Sequence, residues 1–123
     1  VTAYRRGKYR ENETAERLRA DGYLVMIAPG SRGQPDLVAI KPNQVLAIQV
    51  KSGEARLDDA WWNLLYEVAA RAGAIPIVAD WPKRATLRLR RITGTHAPRS
   101  KFWPCEPFST DEAWPDAAEW RAE

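Results

Sequence analysis

The chain is short of the residues that build most compact catalytic centres. Cys105 is the only cysteine and His96 the only histidine. That excludes an intrachain disulfide and a zinc site assembled from cysteine and histidine. It also speaks against Cys/His and Ser/His/Asp triads. No apolar run reaches the length of a membrane span, and the basic start leads into no signal-peptide core. The expectation is a soluble, cytoplasmic protein with no membrane partner. Internal repeats and low-complexity linkers are absent too. Hydrolytic chemistry, if present, falls to carboxylates, a lysine and an oxygen-liking cation such as Mg²⁺.

What is present suits one packed domain: 123 residues, of which 45% are apolar. The net charge of +3 hides an uneven distribution. Residues 1–101 carry 18 Lys/Arg against 10 Asp/Glu, whereas residues 102–123 carry one Arg against six acids. The division expected is a single domain over 1–101 and an acidic, aromatic-rich tail over 102–123. Basic residues cluster in Tyr4–Arg10 and again over 81–101, where no acid intervenes. Such clustering suits a polyanionic partner, although a solvated basic face reads the same way.

Periodicity predicts a helix over about 8–21, ended by Gly22, with Glu11, Ala15 and Leu18 on one inward stripe. Residues 23–28 read as a buried strand, 29–35 as a loop, 36–40 as a second strand and 45–51 as a third. The short connection at 42–44 predicts an antiparallel hairpin. A helix is expected over 57–72, with Trp61, Leu65 and Val68 on one apolar face and Trp62 and Tyr66 on another. Residues 74–79 read as a strand whose Pro76 favours a sheet edge, and 86–92 as a half-exposed strand. The fold class is α/β, a mixed sheet flanked by helices in the order α-β-β-β-α-β-β. Phe102, Trp103, Phe108, Trp114 and Trp120 are too many aromatics to leave in water, so the tail should dock on the body or on another subunit.

Four positions form a constellation. Asp36 opens a strand after a proline-containing loop; Gln49 and Lys51 leave the same face of the third strand; Glu11 ends the inward stripe of the first helix. Taken singly, Asp36 is a turn residue, Lys51 a rim lysine and Glu11 a surface helix residue. Together they are what phosphodiester cleavage needs. Carboxylates hold a divalent cation that neutralises phosphate charge and acidifies water, and an ammonium steadies the charge building on phosphorus.

The run Pro35-Asp36, with Gln49-Val50-Lys51 thirteen residues on, resembles the PD-(D/E)XK nuclease signature. With Glu11 placed eleven residues before Gly22-Tyr23, Ser31 in the loop, and the helix-to-strand passage Ala70–Ala79, the chain is similar to archaeal-type Holliday junction resolvases over about residues 4–92. The resemblance implies a restriction-endonuclease-like fold and a homodimer that cuts four-way DNA junctions with Mg²⁺, or Mn²⁺ as substitute. It implies a metal site of Glu11, Asp36 and Gln49, with Lys51 acting on the nucleophile and Ser31 touching metal, water or phosphate. Arg5, Arg6, Lys8, Arg10 and Arg32 would hold the DNA backbone. Gln49 departs from the family's glutamate, either as a natural variation or as an inactivating Glu→Gln replacement; Asn12 and Ile27 stand where the family tends to carry basic residues. Two alternatives stay open: a nicking or restriction-type nuclease on duplex DNA, and a catalytically silent module that binds branched DNA.

Overall fold

The structure, a computed structural model, describes residues 3–28, 35–53 and 58–110, with the side chains of the first helix from residue 7 onward. The described residues form helix α1 (Ala3–Ala20), strands β1 (Leu24–Ile27), β2 (Leu37–Lys41) and β3 (Gln44–Ser52), helix α2 (Asp59–Ala72), and strands β4 (Ile75–Trp81), β5 (Arg88–Ile92) and β6 (Cys105–Pro107). All six strands lie in one sheet in sequence order. The pairs β1–β2, β2–β3, β4–β5 and β5–β6 are antiparallel; β3–β4 alone is parallel, its crossover carrying α2. The expected α/β class and element order hold, with β6 as an addition.

Alternation along β3 explains the two cores. Leu46 and Ile48 pack with Ala15 and Leu18 of α1 on one face, joined by Leu37, Ala39, Ile77 and Phe108. Ala47 packs on the other face, with Val78, Ile92 and the α2 residues Trp62, Leu65 and Ala69. β1 alternates as well. Val25 is buried while Leu24 and Met26 are 66% and 51% exposed, so this is an edge strand wetted on one face rather than a buried one.

Both helices end on a glycine with positive φ, as the sequence predicts for the first. At α1, the Tyr23 N–H donates to the Leu18 carbonyl and the Gly22 N–H to that of Arg19, each at 3.0 Å, with Gly22 at φ 97°. This six-to-one and five-to-two pattern brings Tyr23 and Leu18 into the same core. Gly73 closes α2 in the same way at φ 69°.

Two expectations need correction. The sheet-facing stripe of α2 is Trp62, Leu65 and Ala69, and the exposed apolar side chains are Leu64 and Val68. Trp62 is buried because its indole N–H finds an acceptor, the Gly94 carbonyl at 3.0 Å; this removes the main cost of burying the ring. Pro76 does not mark an edge, since β4 lies between β3 and β5. Pairing with β5 begins only at Ile77, so Pro76 sits where no partner across that flank requires an N–H.

The single histidine is used structurally. His96 is buried, with Nδ1 2.5 Å from Asp59 Oδ1 and Nε2 2.9 Å from the Ser100 carbonyl. Its ring stacks on Trp103 at 3.4 Å, and its backbone N–H donates to Asn63 Oδ1 at 2.7 Å. This clasp ties the β5–β6 connection to the N-terminal half of α2. Trp114 and Trp120 lie outside the described residues; Trp103 and Phe108 dock on the body as anticipated, whereas Phe102 stays 73% exposed. Phe108 belongs to the α1-side core, and its N–H donates to the Leu89 carbonyl at 2.9 Å. Phe108→Ala should therefore cost about 3–5 kcal/mol of stability, the range for emptying an aromatic core site. Urea unfolding measures it; a loss near zero would make the segment a loose appendage.

Candidate nuclease site

The site forms where β2 begins and β3 ends. Asp36 precedes Leu37 of β2, and Leu37 pairs with Ile48 of β3, so the Asp36 carboxylate meets the next stretch of β3. The loop before it is closed at its neck by the Ala28 N–H donating to the Asp36 carbonyl at 2.9 Å. Asp36 Oδ2 accepts two hydrogen bonds of 2.9 Å, from the Gln49 amide Nε2 and from the Val50 backbone N–H. Among the described residues Oδ1 has no hydrogen-bond donor and stays open as a ligand face.

Helix α1 brings the second carboxylate. Thr14, fully buried, donates from Oγ1 to the Arg10 carbonyl at 2.6 Å and accepts from Trp81 Nε1 at 2.8 Å. Trp81 ends β4, so this bond pins α1 to the sheet end that carries the site. One turn away, Glu11 is half-buried, with Lys8 Nζ 4.0 Å from its Oε1. Burial raises the Glu11 pKa above the ordinary carboxylate value, and the negative charge of Asp36 raises it further, against the opposing pull of Lys8. Asp36 is raised as well, by burial, against the Val50 N–H, Lys51, the Gln49 amide and Lys8. Gln49, Lys51 and Lys8 therefore act on Asp36, and Asp36 and Lys8 act on Glu11.

The other candidates divide. Ser31 and Arg32 lie outside the described residues; Arg5 and Arg6 fall in α1, but their side chains lie outside them too. Arg10 is engaged within the fold. It bonds Glu13 Oε2 at 2.7 Å, and its guanidinium lies 4.6 Å from the centroid of the Trp81 ring. Thr14 and Trp81 are the residues that sequence reasoning missed. Thr14 carried a signal, since it shares the stripe of Glu11, Ala15 and Leu18 at helical spacing. Trp81 carried none, because its role depends on contact with a helix 67 residues earlier.

The side-chain donors the site offers a cation are all oxygen: two carboxylates and the Gln49 amide oxygen. No group of three or more His, Cys, Asp or Glu side chains suited to a metal occurs among the described residues. Two raised carboxylates with an open oxygen nonetheless fit a hard cation such as Mg²⁺, which takes one or two carboxylates and completes its shell with water and phosphate.

The sequence profile described as archaeal Holliday junction resolvase (Hjc) matches residues 2–100. The chain belongs to that family. Among solved structures, the 1.6 Å structure of Archaeoglobus fulgidus Hjc, a Holliday junction resolvase from an archaeal hyperthermophile, is similar in fold. It has a TM-score of 0.57 and 23% identity over 64% of this chain and 70% of that one. No curated protein matches the chain. Membership in the Hjc family implies a nuclease that acts on branched DNA, and no described helix is long and apolar enough to cross a membrane.

The raised pKa of Asp36 gives a sign to pH dependence. A carboxyl that titrates higher in the folded than in the unfolded chain favours folding when protonated. Its contribution is complete below the ordinary carboxylate value and is lost as pH rises through the raised one. Asp36→Asn removes this dependence, so its stability relative to the native chain should be greatest at neutral pH and should fall on acidification. Urea melts at pH 7 and near pH 4 measure it; a pH-independent difference would contradict the stated cause.

Proposed function

We propose that the chain is a metal-dependent endonuclease selective for four-way DNA junctions, attenuated by Gln49. The observation that carries this reading is the mutual placement of Asp36, Gln49, Glu11 and Lys51 at the end of β3 in a chain of the Hjc family. Asp36, Glu11 and the oxygens of Gln49 and Val50 would hold Mg²⁺ or Mn²⁺. The cation, when bound, supplies charge neutralisation at the scissile phosphate and a water acidified towards hydroxide. Lys51, half-buried and without an ion pair among the described residues, offers its ammonium to the phosphate oxygens and steadies their charge in the transition state. The Val50 N–H fixes the Asp36 carboxylate in place, so Asp36 need not reorganise when substrate arrives.

A silent branched-DNA-binding module is the second reading, and one contact favours it. The Gln49 amide donates to the Asp36 carboxylate that a cation would approach, so that carboxylate is already partly compensated. A nuclease acting on linear duplex is the third reading, separated from the first by substrate shape alone.

The apolar face left by α2 supports a homodimer. Leu24, Ile40 and Val45 stand in one row across β1–β3, and Met26 and Val38 in the next. Leu64 and Val68 of α2 are also exposed. Apolar side chains in adjoining rows, exposed at Leu24 and Met26 and half-buried at Val38, Ile40 and Val45, suit a self-complementary two-fold contact, and a two-fold protein matches the near two-fold symmetry of a junction.

Two measurements test these readings. Junction, fork and linear duplex are incubated with Mg²⁺ and either the native chain or Gln49→Glu. The variant should cut the junction faster by roughly 10- to 100-fold, the scale on which changes around a metal act. Equal cutting by both would make Gln49 a working ligand; binding without cutting by either would establish the silent module; equal cutting of linear duplex would remove junction selectivity. Separately, Met26→Glu should shift sedimentation from dimer to monomer without unfolding the chain. A native chain that sediments as a monomer would exclude the dimer.

A further inference from the structure

Residues 81–105 carry seven Lys/Arg and no Asp or Glu, and the cleavage centre uses none of them. The sheet register gives some of them a fixed place relative to that centre. Lys51 of β3 opposes Asp80 of β4, and Asp80 opposes Arg88 of β5. Opposed residues project from the same face, so Lys51, Asp80 and Arg88 form one row across three neighbouring strands. Gln49 projects from that face as well, two residues back along β3.

Asp80 does not cancel the row. Its carboxylate is paired with Arg90, two residues along β5 on the same face. Arg88 is left exposed, its side chain making no hydrogen bond or ion pair to any described residue. The turn before it holds a definite shape, since the Ala85 N–H donates to the Pro82 carbonyl at 3.1 Å and Arg84 sits at φ 61°. Lys83 and Arg84 on that turn are exposed, also without partners among the described residues. A row whose one acid is already paired with Arg90, and which leads from Lys51 out along a fixed turn, is a track for a chain of phosphates.

We propose that Arg88, with Lys83 and Arg84 of the β4–β5 turn, forms a second phosphate-binding strip that holds the DNA backbone beside the cleavage centre. This rests on the nuclease reading above and sets a register for it. Two strand spacings separate Lys51 from Arg88, about 10 Å. Each phosphate advances about 3.4 Å along the duplex axis and about twice that along the winding backbone, so this span covers about one to two phosphates of a strand. Arg88 therefore meets the backbone about one to two nucleotides from the phosphate served by Lys51.

Binding of a four-way junction in EDTA tests the strip without depending on cleavage. The native chain, the triple variant Lys83→Ala/Arg84→Ala/Arg88→Ala and a control, Arg71→Ala at the exposed far end of α2, are titrated at several salt concentrations. Each lost phosphate contact lowers the slope of log affinity against log salt by about 0.9, so the triple variant should flatten it by about 2 to 3 while the control leaves it unchanged. Junctions with one neutral methylphosphonate, scanned along the strand, set the register. Lys51→Ala and Arg88→Ala should each become indifferent to a different position, about one to two nucleotides apart. An unchanged slope in the folded triple variant makes the basic turn a solvated surface and overturns the strip, leaving the nuclease reading intact. A flattened slope with the two positions coincident or far apart overturns the register. If the native chain binds no junction at all, the nuclease reading itself fails and the strip falls with it.

Discussion

Strand β3 is covered on both faces, and its two-residue alternation constrains everything placed along it. Leu46 and Ile48 must meet α1, and Ala47 must meet α2; a slip of one residue would exchange the two sets. The register is therefore strongly specified, and with it the positions of Gln49 and Lys51 at the strand's end. The parallel step to β4 comes from the same strand. It carries α2 over one face and delivers Trp81 to the end where Thr14 of α1 waits. One packed strand thus fixes both the helix that bears Glu11 and the ladder that holds Asp36.

Charge balance at the site follows from that geometry. Burial raises the cost of ionising both Glu11 and Asp36, and the charge of Asp36 adds to it at Glu11. Lys51 and Lys8 oppose burial at Asp36. With a neutral amide at position 49, two acids face two ammonium groups. A glutamate there would add a third acid within hydrogen-bond reach of the second, and such a cluster is stable only with a shared proton or a cation between the carboxylates. On the proposed metal-dependent reading, that dependence would be set largely by one side chain, and Gln49 would lower it.

The layered fold and most of the site were legible in the sequence because both depend on local periodicity. The stripe of Ala15 and Leu18, the hairpin at 42–44 and the same-face pair Gln49/Lys51 need only a period of 3.6 or 2 to be read. What was misread depends on contacts distant in sequence. Trp62 is apolar whichever way α2 is turned, and only the acceptor at Gly94, thirty-two residues on, turns it inward. Pro76 suggests an edge until the starting point of β5 is known. The strand Cys105–Pro107 has no alternation long enough to notice; pairing with β5 and the burial of Phe108 make it a strand. Arg10 looked like a free cation for DNA because Trp81, which its guanidinium faces, comes from the far side of the chain.

The amide of Gln49 cannot serve two roles in one orientation. Donating Nε2 to Asp36 turns Oε1 away from the carboxylate, whereas a cation bound by Asp36 attracts Oε1 and repels the N–H. Coordination by Gln49 therefore requires the amide to turn over and give up a bond worth about 0.5–1.5 kcal/mol net. A glutamate pays no such penalty, because both of its oxygens are acceptors. Replacing it by glutamine accordingly does more than remove a charge: it supplies a competing donor at the carboxylate where a cation would bind. The loss of metal affinity should exceed what the missing charge alone accounts for, and the metal-free arrangement gains a hydrogen bond that a glutamate in its place does not make.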